Sequence, residues 1–354
     1  FGINAGVEYL LMAVLGGAGH VYGAIVGAVI VVLLREQLQA YLPQLLGQTG
    51  NFETVVFGAI LLIVLVASRE GLWPRIASCF PARPPRAVDT SQRLMHEQVP
   101  ARGEDLLAAV GLVKRFGGLV AVNQVSFTLR AGGITGLIGP NGAGKSTTFN
   151  LLTGMLAISD GQLRVRGESV GSITPQAAAR ARIARTFQHV KLVGNMSVLE
   201  NVAIGAHLRG CSGPLRAMLR LDRAEEARIM GEAAFQLQRV GLGEHMHCAV
   251  DSLSLGQLRL VEIARALALD PILLLLDEPA AGLRYREKVM LGNLLRQLCE
   301  EGMAVLIVEH DMDFVMNLVH ELVVLDFGTR IAEGRPEEIS RHPAVLEAYL
   351  GVTT

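Results

Sequence analysis

The stretch GPNGAGKS at residues 139–146 decides the fold, because it matches the phosphate-binding pattern G-x-x-x-x-G-K-[ST] at every fixed position. Its glycines let backbone N–H groups turn toward phosphate oxygens, Lys145 reaches the terminal phosphates, and the Ser146 hydroxyl is a ligand for Mg²⁺. An apolar segment precedes it and a helical segment follows, so the positive end of a helix adds to the anion site. The predicted nucleotide-binding residues of this loop are Gly139, Pro140, Asn141, Gly142, Ala143, Gly144, Lys145, Ser146 and Thr147.

Two further apolar segments end in residues that suit nucleotide hydrolysis. ILLLLDEP delivers Asp277 to a strand tip, where its carboxylate can hold Mg²⁺ through water. Glu278 follows, placed to polarise an attacking water against the γ-phosphate. VLIVEHD ends in His310, whose imidazole suits contact with a γ-phosphate near neutral pH. We therefore expect the chain to hydrolyse the nucleotide that it binds.

A second phosphate-binding helix start lies in DSLSLGQLRLVEIARAL, where Ser254, Gly256 and Gln257 come directly before a helix. This segment and Lys145 belong to different parts of the predicted sheet. We therefore expect it to contact another nucleotide across a dimer interface.

The segments around these motifs predict an α/β fold. GITGLIG, ILLLLDE, MAVLIVEH and ELVVLDFG are fully apolar, which is typical of parallel strands covered on both faces. Residues 106–116 and 121–130 predict a pair of strands in an antiparallel subdomain. Residues 200–267 are too long for a simple crossover and predict an inserted helical subdomain.

Charge divides the chain unevenly. Residues 1–77 contain 7 of the 65 ionised side chains, so the N-terminal part suits lipid and the rest suits water. The formal net charge is -1, and no global basic field argues for nucleic acid. We expect no nucleic-acid partner.

Two apolar runs predict membrane-embedded helices at the N-terminus. Residues 9–34 carry no charged side chain over 26 positions, enough to cross a bilayer. Glycines spaced four apart suit close helix packing, whereas the interruption GGAG at residues 16–19 suits a broken or re-entrant pair of half-helices. The number of helices in this run, one or two, is left open. Residues 35–53 are polar and predict a connection.

The second run, residues 54–68, spans only 15 positions, so its length also fits the buried helix of a water-soluble domain. Phe52, Leu72 and Trp73 lengthen it, and Trp73 is placed where an interfacial aromatic belongs. Arginines follow it on one side, which puts the downstream chain in the cytoplasm by the positive-inside rule. Residues 78–104 are rich in proline and polar residues and predict a flexible linker.

The order of phosphate loop, Gln188, Ser-x-Gly-Gln, Asp-Glu and His resembles that of ATP-binding cassette (ABC) ATPases over roughly residues 106–352. The resemblance implies that Phe116 stacks on adenine and that Gln188 contacts Mg²⁺ and the attacking water and senses a permease. The catalytic residues that the resemblance implies are Glu278, His310 and Gln188. Those it makes Mg²⁺ contacts are Ser146, Gln188 and Asp277. It places Ser254, Gly256 and Gln257 on the ATP of a partner cassette.

Two segments narrow the resemblance to one importer family. RFGGLVAVNQVSF, ARTFQHVKLVGNMSVLENV and HPAVLEAYLG are similar to ATP-binding subunits of branched-chain amino-acid importers. LMAVLGGAGHVYGAIVGAVIV with REGLW is similar to the carboxy-terminal end of the permease of that family. We therefore expect a permease segment at 1–77, a linker at 78–104 and an ABC ATPase domain at 105–354, helical at about 200–267.

The resemblance also implies a cellular setting and partners. These are the inner (plasma) membrane with the ATPase domain on its cytoplasmic side, membrane lipid, a second cassette, permease subunits and a periplasmic or extracellular solute-binding protein. Related importers handle urea, short amides and aromatic acids, so these solutes are the alternatives to branched-chain amino acids.

Two other functions are alternatives to import. A soluble ABC protein of DNA repair or translation predicts a coiled-coil insertion or a tandem second cassette, and the sequence shows neither. A phosphate-loop kinase does not explain the Ser-x-Gly-Gln segment.

Two positions depart from the ABC pattern. Leu255 stands where the general signature has a second glycine, and Arg284 stands where the family has Asp or Asn. We expect function to survive the first departure. The resemblance places the second in the loop that contacts the opposite monomer.

Overall fold

The chain forms two compact units, Phe1–Arg86 and Ala87–Thr354. The computed structural model describes residues 3–17, 19–46, 58–59, 62–63, 66–68, 71–79 and 88–350, apart from 189, 214–215, 217 and 220. The boundary between the units falls inside the predicted linker, 78–104. The finer boundaries of the predicted domains stay predictions.

The labelled α-helices are α1 Ile3–Gly16, α2 Val21–Leu46, α3 Trp73–Ser78, α4 Lys145–Leu152, α5 Pro175–Arg180, α6 Val198–Ala203, α7 Arg223–Arg239, α8 Leu255–Leu267, α9 Tyr285–Glu300, α10 Met312–Met316, α11 Pro336–Ile339 and α12 Pro343–Leu350. The strands are β1 Asp105–Phe116, β2 Leu119–Arg130, β3 Ile134–Ile138, β4 Asp160–Val165, β5 Glu168–Gly171, β6 Ile183–Arg185, β7 Leu273–Asp277, β8 Ala304–Val308, β9 Glu321–Asp326 and β10 Thr329–Gly334.

In the first unit, α1 and α2 form a tightly packed helical hairpin. A Cβ atom on Gly16 would lie 1.8 Å from the Gly23 carbonyl oxygen, and one on Gly27 would lie 2.0 Å from the Met12 carbonyl oxygen. Only glycine permits so close a backbone approach. The interruption after Gly16 therefore divides the first apolar run into two helices.

Within the described residues, α2 is the single helix that is long and apolar enough to cross a membrane. Its window Val21–Leu38 has a mean hydropathy of 1.7, and most of its side chains are exposed within the unit. The helix continues to Leu46. Residues 35–46 of the predicted connection at 35–53 are therefore helical. Exposed apolar side chains along α2 suit contact with lipid or with other permease helices.

The second predicted run, residues 54–68, lies largely outside the described residues. Its described parts at 58–59, 62–63 and 66–67 are helical. Trp73 does not prolong this run, because it begins the separate helix α3. Its ring stacks on Tyr22 of α2, with centroids 5.5 Å apart.

In the second unit, the central sheet has the strand order β10-β9-β3-β8-β7-β6 and is parallel except for β10. Every residue of β3, β7 and β8 is buried, because these strands are apolar on both faces and helices cover the sheet. The phosphate loop follows β3, and Asp277 and Glu278 lie at the end of β7. The parallel core sheet confirms the predicted fold class.

A second, antiparallel sheet has the order β2-β1-β4-β5. The predicted helical region contains α6, α7 and α8. Ser197 begins α6 with a capping box to Glu200, and Ser254 begins α8 with a capping box to Gln257.

Residues 88–104, which we call the strap, were predicted to belong to a flexible linker but are hydrogen-bonded to the rest of the second unit. The Glu97 N–H donates to Asp270 Oδ2 at 3.1 Å, and Arg209 donates to the Met95 carbonyl at 2.9 Å. Arg182 donates to the Gln98 carbonyl at 3.2 Å. These partners are distant in sequence, and therefore local composition gives no sign of the contacts.

Candidate nucleotide-binding site

The phosphate loop between β3 and α4 depends on three glycines with positive φ. Gly139, Gly142 and Gly144 have φ of 151°, 84° and 93°. A Cβ atom on Gly139 would lie 2.1 Å from the Leu325 carbonyl oxygen, and one on Gly144 would lie 2.5 Å from that of Ala121. The loop is therefore pressed against neighbouring backbone, with conformations that favour glycine.

Lys145 begins α4 and lies over the loop. Its Nζ donates to the carbonyls of Gly139 and Pro140 at 2.6 and 2.8 Å. Burial lowers the pKa of Lys145, and the charge of Glu278 opposes that shift. Phosphate oxygens are stronger acceptors than carbonyls, so this ammonium suits a phosphate ligand.

The structure gathers most of the predicted site residues around one cavity of about 560 Å³. Its lining includes Phe116, Asn141, Gly142, Ala143, Gly144, Lys145, Ser146, Thr147, Gln188, Glu278 and His310. Gly139 and Pro140 begin the same loop. The aromatic ring of Phe116 is partly exposed at this cavity.

Glu278 is the meeting point of the three predicted catalytic side chains. Its Oε1 accepts a hydrogen bond from Gln188 Nε2 at 3.2 Å and lies 3.0 Å from His310 Nε2. Its backbone has φ of 48°, a left-handed conformation that is costly for a residue with a side chain. Its N–H donates to the Val308 carbonyl at 2.8 Å, which holds this turn to β8.

Asp277 is buried and is not part of the lining of this cavity. Burial raises the pKa of Asp277, and the adjacent charge of Glu278 raises it further. Its N–H donates to Thr186 Oγ1 at 3.3 Å. A cation beside this carboxylate would relieve both effects.

The predicted Mg²⁺ contacts are a hydroxyl at Ser146, an amide at Gln188 and a carboxylate at Asp277, all oxygen donors of the kind that Mg²⁺ prefers. In the described part of the chain, no three His, Cys, Asp or Glu side chains are grouped to hold a metal ion. Mg²⁺ often takes its remaining ligands from phosphates and water. The residues therefore fit Mg²⁺ bound together with a nucleotide.

Ser254, Gly256 and Gln257 lie apart from the cavity, at the N-terminus of α8. Ser254 Oγ accepts from the Gln257 N–H at 3.3 Å, and Gln257 Oε1 accepts from the Ser254 N–H at 2.9 Å. These residues do not line the cavity that contains Lys145.

The two departures from the family pattern are accommodated locally. Leu255 is exposed and packs on Gly282, where a Cβ atom would lie 2.8 Å from Leu255 Cδ2. Arg284 precedes α9, and its N–H donates to Glu287 Oε2 at 2.7 Å. An Asp or Asn at position 284 would accept from the first N–H groups of α9, whereas the arginine side chain makes no such cap.

Sequence reasoning missed Arg185, which joins the phosphate-loop helix α4 to the segment that follows β6 and contains Gln188. We call this segment the Gln188 loop. Its guanidinium lies 5.0 and 4.8 Å from the ring centroids of Phe149 and Phe187. Nη1 donates to Asn150 Oδ1 at 3.0 Å and to Thr153 Oγ1 at 2.8 Å. The signal was an arginine among the apolar residues of a short strand.

It also missed Glu309, which orders the loop after β7. Its Oε1 accepts from the Ala280 N–H at 2.6 Å, and Oε2 accepts from the His310 N–H at 3.1 Å. Burial raises the pKa of Glu309. The carboxylate directly before His310 was the available signal.

A phosphate loop after the central strand, an Asp-Glu pair on a neighbouring strand and an inserted helical region together define an ATP-binding cassette. Family models agree. Residues 122–281 match the ABC transporter model, residues 329–353 match the branched-chain amino acid ATP-binding cassette transporter model, and residues 1–65 match the permease component of the branched-chain amino acid transport system.

Similar proteins cover the same region. The high-affinity branched-chain amino acid transport ATP-binding protein LivG of Salmonella typhimurium is 41% identical over 251 residues, 70% of this chain and 98% of that protein. BraF of Pseudomonas aeruginosa, described in the same words, is 39% identical over 249 residues, with the same coverage of 70% and 98%. The chain belongs to this family of ABC transporter ATP-binding proteins, fused at its N-terminus to a permease segment.

Solved structures agree with the assignment. A nucleotide-free ATP-binding cassette from an ABC transporter is 34% identical, with a TM-score of 0.62 over 70% of this chain and 100% of that chain. The ADP conformation of an ATP-binding cassette is 32% identical, with a TM-score of 0.61 over 70% and 99%.

Proposed function

We propose that this chain binds and hydrolyses ATP to drive the import of branched-chain amino acids. The observation that carries the hydrolytic part is the convergence of Gln188 and His310 on one carboxylate oxygen of Glu278, in the cavity that Lys145 lines. The transport part is supported by the match of residues 1–65 to a permease family and by the names of the relatives.

Each residue has a defined task in this proposal. The phosphate loop and Lys145 bind the phosphates, and Phe116 stacks on the adenine. Ser146, Gln188 and Asp277 hold Mg²⁺, which supplies charge neutralisation at the phosphates. Glu278 orients and deprotonates the attacking water, and His310 contacts the γ-phosphate. Gln188 keeps the Glu278 carboxylate oriented.

The proposal requires partners. Ser254, Gly256 and Gln257 lie outside the cavity, which supports a second cassette whose nucleotide they contact. Permease subunits and lipid surround the first unit, and a periplasmic or extracellular solute-binding protein delivers the solute. The chain resides in the inner (plasma) membrane, and its cassette faces the cytoplasm.

Glu278→Gln tests the hydrolytic part in the detergent-solubilised chain. The amide keeps the shape of the side chain but does not accept a proton, so turnover should fall at least about 100-fold. Equilibrium ATP binding should stay within twofold. Glu168→Gln, an exposed change on β5, is the matched control and should hydrolyse ATP at the wild-type rate. Normal hydrolysis by Glu278→Gln would remove Glu278 as the base.

Solute uptake tests the transport part. Vesicles containing the complete transporter should accumulate labelled leucine, isoleucine or valine only with ATP on the cassette side. Unlabelled urea, short amides and aromatic acids are added as competitors. ATP-dependent uptake of labelled urea, a short amide or an aromatic acid, with no uptake of branched-chain amino acids, would reassign the solute and leave the ATPase intact.

A further inference from the structure

Helix α8 carries three charged residues on one face, spaced three apart. They are Arg259, Glu262 and Arg265. Arg259 and Glu262 are buried, with exposed fractions of 8% and 2%. Most of the other residues in the helix are apolar. Buried charges are costly unless they are paired and hydrogen-bonded, so their partners indicate what they do. We call these three residues the α8 clasp.

The clasp holds the backbone on both sides of the Gln188 loop. Arg259 donates through Nη1 to the Phe187 carbonyl at 3.0 Å and through Nη2 to the Gln188 carbonyl at 2.7 Å. Further along, the Lys191 N–H donates to Glu262 Oε1 at 3.1 Å, and Arg265 donates to the Lys191 carbonyl at 2.6 Å.

The same loop is bound to the catalytic core from its other side. The Gln188 side chain donates to Glu278, and Arg185 packs between the rings of Phe149 and Phe187. The Gln188 side chain is therefore hydrogen-bonded to Glu278, the predicted base, and the Gln188 carbonyl is hydrogen-bonded to Arg259 of α8. The N-terminus of α8 is the Ser254 to Gln257 turn predicted to contact the nucleotide of a partner cassette.

We propose that Arg259 is a positioning residue that couples the Gln188 side chain to helix α8. A shift of α8 on contact with a second nucleotide moves the Gln188 backbone directly, because one guanidinium spans two successive carbonyls. That shift changes how Gln188 holds the Glu278 carboxylate. The inference rests on the proposed function and adds a residue to its machinery.

Arg259→Lys tests the coupling, because lysine keeps the buried charge beside Glu262 but does not reproduce the planar two-donor fork. Its kcat for ATP hydrolysis should fall about tenfold, since small misplacements near reacting groups are costly. ATP affinity should stay within twofold, because the phosphate loop is untouched. Amides in residues 187–191 should exchange hydrogen faster, with or without nucleotide.

Arg209→Lys is the matched control. Arg209 also donates to two backbone carbonyls, those of Ala268 and Met95, each at 2.9 Å, but neither belongs to the Gln188 loop. It should leave both kcat and the exchange of residues 187–191 at wild-type values. If it reproduces the losses of Arg259→Lys, the effect is general destabilisation and the coupling is wrong.

Two results separate this inference from the proposed function. Unchanged kcat and unchanged exchange in Arg259→Lys would overturn the coupling while the ATPase assignment stands. A wild-type chain without ATPase activity would overturn the proposed function. In that case, comparing hydrogen exchange between the wild type and Arg259→Lys would still show whether Arg259 orders the Gln188 loop. Unchanged exchange in the variant would overturn the coupling as well.

Discussion

Two clusters of charged side chains in the second unit use similar residue types but differ in how completely they are paired. In the strap cluster, Asp270 Oδ1 lies 2.7 Å from His96 Nδ1, and Asp270 Oδ2 accepts from Arg182 Nη2 at 2.7 Å. His96 Nε2 also lies 3.3 Å from Glu232 Oε2, and Arg209 lies 3.6 Å from the other Glu232 oxygen. Each buried acid there has two cationic neighbours.

In the nucleotide-site cluster, the cationic neighbours of Asp277, which are Arg185, Arg259 and His310, do not outweigh its burial. Burial raises the pKa of Asp277, with a further contribution from the Glu278 charge, and burial lowers the pKa of Lys145. In the strap cluster, burial alone would raise the pKa of Asp270. The hydrogen bonds from His96 and Glu97 and the charge of Arg182 outweigh it, and this pKa is lowered.

The difference separates a structural cluster from a ligand site. Acids whose pKa is lowered on folding find their partners inside the chain and stabilise it. An acid whose pKa is raised, in a site whose lysine has a lowered pKa, is under-compensated, which is typical of functional sites. In the proposed function, a triphosphate with a divalent cation would supply the missing charges. The two clusters should therefore respond to opposite perturbations.

Lys145→Ala should break the nucleotide site without weakening the fold. Loss of a charge-assisted bond to phosphate should lower ATP affinity about 100-fold, measured by equilibrium binding. The melting temperature without nucleotide should stay close to the wild-type value, because among the described residues Lys145 donates only to carbonyls of its own loop. Wild-type ATP affinity in this variant would sink the assignment of the phosphate loop.

The same contrast shows what sequence can predict. The core sheet was predictable because its strands are continuous apolar runs and the phosphate-loop pattern is local, spanning residues 139–146. The chemistry-bearing residues at strand ends were predictable because parallel strands end at one edge. The structure places Gln188, Glu278 and His310 together there.

Long-range polar contacts were not predictable. His96 meets Asp270 across 174 positions, and the composition around His96 is that of a linker. Arg259 was overlooked because the signature pattern ends at Gln257. Its role depends on carbonyl oxygens of the Gln188 loop, which no side-chain pattern reveals.

Asp270→Asn should break the strap cluster and leave the nucleotide site intact. Asp270 has φ of 61°, a conformation that Asn also tolerates, so the change removes charge without backbone strain. Its side chain is 15% exposed, and removing one partner of a buried pair should cost about 3 kcal/mol of unfolding free energy. The melting temperature should drop by about 8 °C, while ATP affinity is unchanged.

Asp105→Asn is the matched control for that change. Asp105 pairs with Arg130 at an exposed site, so its neutralisation should alter the unfolding free energy by less than about 1 kcal/mol. An equal loss in the two variants would show that the strap cluster is no stronger than a surface pair. Weakened ATP binding in Asp270→Asn would show that the two clusters are not independent.

The smallest effect is the pH dependence of the strap. Hydrogen bonds to Asp270 and Glu232 raise the pKa of His96 from 6.5 to about 9. A raised pKa stabilises the folded chain fully below pH 6.5, and this contribution disappears as the pH rises through 9. Since His96 is 40% exposed, solvent screening reduces its contribution to about 1 kcal/mol, or about 3 °C in melting temperature.

The measurement is the difference in melting temperature between pH 7 and pH 10. That difference should be about 3 °C smaller in His96→Gln than in the wild type, whereas His207→Gln, at an exposed histidine, should keep the wild-type value. Equal differences in all three chains would mean that His96 carries no charge in the folded strap, and the pairing that distinguishes this cluster from the nucleotide site would rest on Arg182 and Arg209 alone.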